Sequence, residues 1–164
     1  MDFKNLIDSA KKMKDTAVTA SKSAVEFSAW KLADSKLTIS SAAELEDFIQ
    51  KSKTTLGTDS QTGKQKEFIH TAIVVFVDTK SEFFSSLLYK FPVLSAKAFS
   101  QNVALRLADI SMKDLDTKKY KVEKQATLVV FENMKIIKTL VWEENIQKVV
   151  KSMSLDITKS IEEL

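Results

Sequence analysis

Apolar positions along this chain of 164 residues change period repeatedly, and each change marks an element. Phe3, Leu6, Ala10, Met13, Ala17, Ala20, Ala24 and Phe27 fall on alternating three- and four-residue steps, the seam spacing of a helix. No Gly or Pro interrupts them, so residues 1–36 are expected to form one helical extension, roughly 50 Å long at 1.5 Å per residue. Its seam is mostly alanine and buries little area per turn, which leaves such a helix marginal on its own in water. From Leu37 onward the pattern alternates between strand and helix. Leu37 to Ile39 is a short strand. Ser41 and Glu44 have capping-box spacing ahead of Leu45, Phe48 and Ile49. Thr54 to Lys66 is polar, carries both glycines and is expected as an exposed loop.

Ile69 to Asp78 is a run rich in Val and Ile, which predicts a central strand buried on both faces. Thr79 and Glu82 have the spacing to cap a following helix through about Ser100, bent near Pro92. Asn102 to Ile110 is the next strand, and Ser111 and Asp114 predict a short helix ending near Tyr120. Thr127 to Glu132 and Lys135 to Trp142 form an antiparallel hairpin. A closing helix carries Ile146, Val149, Val150, Met153, Ile157, Ile161 and Leu164, with Ser154 and Asp156 as weak points. Strand–helix alternation of this kind predicts an α/β fold with its sheet covered on both faces.

Composition narrows the chemistry. An apolar fraction of 44% supplies a sizeable core, and two glycines with one proline argue against a disordered chain. The net charge is +3, with the lysines interspersed among acids and Arg106 the sole arginine. Nucleic-acid binders show a concentrated basic face instead, so nucleic acid is not an expected partner. The absence of cysteine excludes a disulfide framework, a thiolate metal site and a cysteine nucleophile. It fits a reducing compartment. The first residues lack the apolar core of a secretory signal, and the longest apolar run, Ala72 to Val77, is far below the roughly 20 residues a spanning helix needs. A cytoplasmic location is the expectation.

Tyr120, Val122, Thr127, the apolar run Leu128 to Phe131, and Asn133 in a turn before a second strand resemble the closing hairpin of the thioredoxin family. The resemblance covers about residues 37–153. It implies a thioredoxin-like domain over residues 37–164, a central mixed sheet flanked by helices, with the amphipathic extension outside it. Two departures matter. Ala126 stands where the family keeps its cis-proline. No thiol exists to carry disulfide exchange, whose nucleophile is the thiolate. In the family the reactive pair opens the helix after the central strand. Aligned from Phe76, those positions are Ser81 and Phe84; aligned back from Pro92, they are Phe84 and Leu87. The family's buried acid, one residue before Phe76, is Val75 here.

Serine hydrolysis is a poor alternative. His70 is the one histidine, at the far end of the strand from Ser81, and no second His or any Cys joins it as a metal ligand. No cofactor motif is present, since neither Gly57 nor Gly63 belongs to a phosphate loop. The resemblance instead implies a groove for extended polypeptide, framed by Lys80, Ser81, Phe83 and Phe84 on one side and Gln125, Ala126 and Thr127 on the other. Phe83 and Phe84 either both pack in the core or one projects as an apolar anchor. Without proline, the peptide bond before Ala126 is expected to be trans. The expected role is that of a non-catalytic protein-binding module, chaperone-like, scaffolding or assembling, with an unidentified protein partner. Phe3, Leu6, Met13 and Phe27 mark the extension as an oligomerisation or partner helix. Three arrangements stay open for it: packing on its own domain, pairing with another chain, or lying on a membrane surface through Lys4, Lys11, Lys12, Lys14 and Lys22.

Overall fold

In the computed structural model, residues 38–153 and 155–164 are described. The expected helix over 1–36, with Phe3, Leu6, Met13 and Phe27, lies outside them, as does Leu37. Five strands form the main sheet: β1 (Thr38–Ile39), β4 (Thr71–Val77), β5 (Val103–Asp109), β6 (Thr127–Glu132) and β7 (Lys135–Val141). Their spatial order is β1-β5-β4-β6-β7. β1, β5 and β4 run parallel, β6 is antiparallel to β4, and β7 is antiparallel to β6. With a separate hairpin over residues 55–68 set aside, this is the strand order and sense of the thioredoxin-like fold.

β4 sits at the centre because both its faces are apolar. Ile73, Val75 and Val77 face one core, with helices α2 (Glu82–Ser100), α3 (Glu143–Met153) and α4 (Ile157–Glu162). Ala72, Val74 and Phe76 face the other, with α1 (Ala42–Ile49) and the segment around Met112, Tyr120 and Val122. That alternation follows from the two-residue period of a strand. The Phe76 and Phe131 rings each lie 6.2 Å from Tyr120, centroid to centroid.

Helix starts follow the hydroxyls. Ser41 Oγ accepts from the Glu44 amide at 3.3 Å, and the Glu44 carboxylate reaches back to the Ser40 amide at 3.0 Å. The capping box therefore closes one residue earlier than its simplest form. At α2 the cap is Ser81, whose Oγ accepts from the Phe84 amide at 3.1 Å, and not the Thr79 expected from spacing. Pro92 lies inside α2. The closing helix divides into α3 and α4 with Asp156 capping the second, as the weak points at Ser154 and Asp156 predicted.

Two further expectations are corrected. Residues 54–66 are not a plain loop: β2 (Thr55–Thr58) and β3 (Gln65–Phe68) pair as a separate antiparallel hairpin. Its turn is closed by Asp59, which accepts from the amides of Gln61 (2.8 Å) and Thr62 (3.3 Å), and by Gly63 at φ +64°. The Phe68 ring lies over Gly57, where a Cβ would come within 2.6 Å of it. Residues 111–120 form successive turns and no helix. Asp109 captures the amide and hydroxyl of Ser111, Asp116 captures the Lys119 amide, and Asp114 reaches the Ala42 amide at 3.0 Å. These side-chain bonds compete with helical ones for the same backbone.

Candidate functional site

The ends of β4, β6 and β7 bring three short segments together around a cleft of about 680 Å³. Asp78 and Ser81 come from the turn after β4. Lys124, Gln125 and Ala126 come from the approach to β6. Trp142 to Asn145 come from the start of α3, and Ile110 adds an apolar wall. The pairing of Phe76 with Thr127 and of Thr127 with Val141 fixes these segments side by side.

Ser81 is the residue at which α2 opens, so Ser81 and Phe84 occupy the positions that a helix-opening reactive pair would take. The Ser81 hydroxyl proton is committed to the backbone. It donates to the Asp78 carbonyl at 2.7 Å and accepts from the Phe84 amide at 3.1 Å. No histidine stands beside it: His70 lies before the opposite end of β4, with Nε2 2.8 Å from Thr55 Oγ1. Among the described residues the Ser81 hydroxyl bonds to backbone groups and to no histidine or carboxylate side chain, the nucleophile–base contact that acyl transfer requires. Among the described residues no group of three or more His, Asp and Glu is placed to hold a metal.

The groove residues anticipated from sequence divide into four sets. Ser81, Gln125 and Ala126 line the cleft. Lys80 is exposed on the adjoining turn, its amide bonded to the Asp78 carboxylate at 2.9 Å. Phe83 and Phe84 are 4% and 2% exposed and belong to the core under α2, so neither projects as an anchor. Thr127 is fully buried, and its hydroxyl donates to the Gln125 carbonyl at 2.9 Å, which shapes the loop from beneath. No peptide bond among the described residues is cis, so the bond before Ala126 is trans.

The aromatic wall comes from elsewhere. Trp142, expected as the last strand residue, lies one position past β7 with φ +81° and its side chain 57% exposed. A bulky residue in that backbone region is strained and must be held by its surroundings. Its amide donates to the Ala126 carbonyl at 3.1 Å, its carbonyl accepts from the Ile146 amide at 3.0 Å, and Asn145 Nδ2 donates to the Val141 carbonyl at 3.1 Å. The signal in the sequence is an apolar strand that ends in tryptophan directly before Glu-Glu-Asn. Asp78, Glu143 and Glu144 outnumber Lys124 among the charges lining the cleft. Glu143 and Glu144 lie in the first turn of α3, where negative charge complements the helix dipole.

No protein-family model matches the chain, and no curated protein matches it. Solved structures similar to it include a thioredoxin from Fasciola hepatica, with 16% identity, 71% of this chain and 97% of that chain covered, and a TM-score of 0.48. The oxidised thioredoxin from Plasmodium falciparum is similar at 13% identity, with 71% and 96% covered and a TM-score of 0.49. The germline-specific thioredoxin Deadhead from Drosophila melanogaster shows 13% identity, 72% and 97% coverage and a TM-score of 0.49. The fold assignment rests on the strand order and register given above.

Proposed function

We propose that this chain is a non-catalytic thioredoxin-like module that binds an extended stretch of a partner protein in the cleft between Ser81, Gln125 and Trp142. The observation that carries this reading is Trp142: a large, half-exposed indole held on strained backbone, lining the same cleft as Ser81, the helix-opening position where the fold's redox members would present a thiol. The chain has no cysteine and so no thiol of its own to exchange. What remains at the end of the sheet is a concave surface with an aromatic wall and backbone polar groups from the Gln125–Ala126 loop. Such features suit recognition, since buried aromatic anchors dominate binding energy at protein interfaces. A chaperone-like, scaffolding or assembly role follows from binding without turnover.

The test is selection of linear peptides from a displayed library on the full chain, followed by titration against wild type and Trp142→Ala. Selected peptides are expected to lose roughly 30-fold in affinity on truncation, equivalent to about 2 kcal/mol. Equal affinity for the two proteins would remove the cleft as the binding surface. No described helix is long and apolar enough to cross a membrane.

A further inference from the structure

Helix α2 is apolar on two opposite faces. Its inner face supplies Leu87, Phe91 and Leu94 to the core. Its outer face carries Tyr89, Val93 and Phe99, which are 65%, 57% and 85% exposed. At 100° per residue Tyr89 and Val93 lie nearly in line and Phe99 flanks them, giving a stripe roughly 15 Å long. Lys90 and Lys97 border one side of it. A helix that is apolar all round is normally covered, and a contiguous exposed apolar patch marks a contact surface.

We propose that this stripe is the docking face for the chain's own N-terminal segment, through the stretch of about ten residues around Met13 in the seam that runs from Phe3 and Leu6 to Phe27. Three observations select that occupant. First, the segment carries an apolar seam of its own that needs covering. Second, the chain enters the described structure at Thr38, opposite Leu107 and parallel to β5, so it arrives from the Val103 end of that strand. Only Gln101 and Asn102 separate that end from α2, which places Phe99 at the same end of the molecule. The residues between Phe27 and Thr38 reach up to ~36 Å when extended, ample to pass from the sheet edge to the outside of a helix ~10 Å wide. Third, Ala10, Ala17, Ala20 and Ala24 make the middle of the seam small, and small residues facing large ones interdigitate. A tethered segment also meets the stripe at an effective concentration on the order of mM, which favours it over a second copy.

The absence of native cysteine makes the test clean. The full chain carrying Val93→Cys with Ala10→Cys, Ala17→Cys or Ala24→Cys is oxidised at low protein concentration. At least one pair is expected to form a disulfide within a single chain, with the mass of one chain and reversal by reductant. In parallel, thiol labelling of Val93→Cys alone is expected to run roughly tenfold slower than that of Ser60→Cys in the β2–β3 turn, as for a covered state favoured about ten to one. Adding Met13→Asp should restore the fast rate. Disulfides found only between two chains would assign the stripe to a second copy and overturn the proposal. So would labelling of Val93→Cys as fast as Ser60→Cys, or protection that survives Met13→Asp.

Discussion

β4 with β6, and the β2–β3 hairpin, are built on opposite principles within one domain. Every residue of β4 from Ala72 to Val77 is buried, and so is every residue of β6 from Thr127 to Phe131. In the hairpin, all but Gly57 among the paired residues are exposed. Its order comes from the Asp59 turn and from the Phe68 ring lying over Gly57. The turns of residues 111–120 combine the two: Met112 and Tyr120 are buried in the core, and the carboxylates of Asp109, Asp114 and Asp116 hold the backbone around them. The difference teaches where stability and where local shape originate. Burial of large apolar side chains contributes on the order of kilocalories per residue, whereas exposed polar bonds largely replace bonds to water.

The largest test of that contrast is Phe76→Ala. The side chain is fully buried between Tyr120 and the sheet, so truncation is expected to cost about 3–5 kcal/mol in urea unfolding. A cost as small as that of an exposed loop substitution would show that β4 does not anchor the fold. Asp59→Ala comes next. It removes the hairpin's turn acceptor, and global stability is expected to fall by less than about 1 kcal/mol. Amide hydrogen exchange should quicken in β2 and β3 and stay unchanged in β4. Equal loss of protection in β4 would mean that the two regions unfold as one unit.

The smallest effect is expected at Lys119, whose ammonium lies 2.9 Å from the Glu46 carboxylate with both side chains exposed. The hydrogen bond to Glu46, followed by the interaction with Tyr120, raises its pKa above the ordinary 10.5. A raised folded-state value means that the contribution to stability is fully present below 10.5 and is lost as pH climbs through the folded value. Solvent screens the pair, so the difference between wild type and Glu46→Gln should be slight below that range and vanish above it. A difference that grows with alkalinity would reverse the assignment.

The same contrast explains what was readable beforehand. Strands β4, β5 and β6 announce themselves because their apolar runs must be buried, β7 because it follows β6 across a short turn, and the capping serine of α1 is visible as a hydroxyl before an apolar stripe. The hairpin was hidden because Thr55 to Thr58 and Gln65 to Phe68 lack an apolar alternation, and its register is set by a carboxylate in the turn. The helix expected at residues 111–120 failed for a related reason: acids that resemble caps bonded to nearer or far more distant amides. At the cleft, Ser81, Gln125 and Ala126 were legible through the resemblance to a known hairpin. Trp142 was not, because its position past the strand and its φ of +81° depend on contacts to Ala126 and Ile146.

The sequence by itself determined the apolar segments that become the sheet, the lack of any thiol, and the helix starts whose caps are local. Those properties depend on residue type and short-range period, which do not require distant contacts. Tertiary structure alone decided which ends meet: residues 78–81, 124–126 and 142–145 converge only because β6 pairs with both β4 and β7. It also decided which aromatics are hidden and which are shown, burying Phe83 and Phe84 while leaving Trp142 and Phe99 in the open. Direction of that kind is set by where a neighbouring element happens to lie, and no local pattern encodes it.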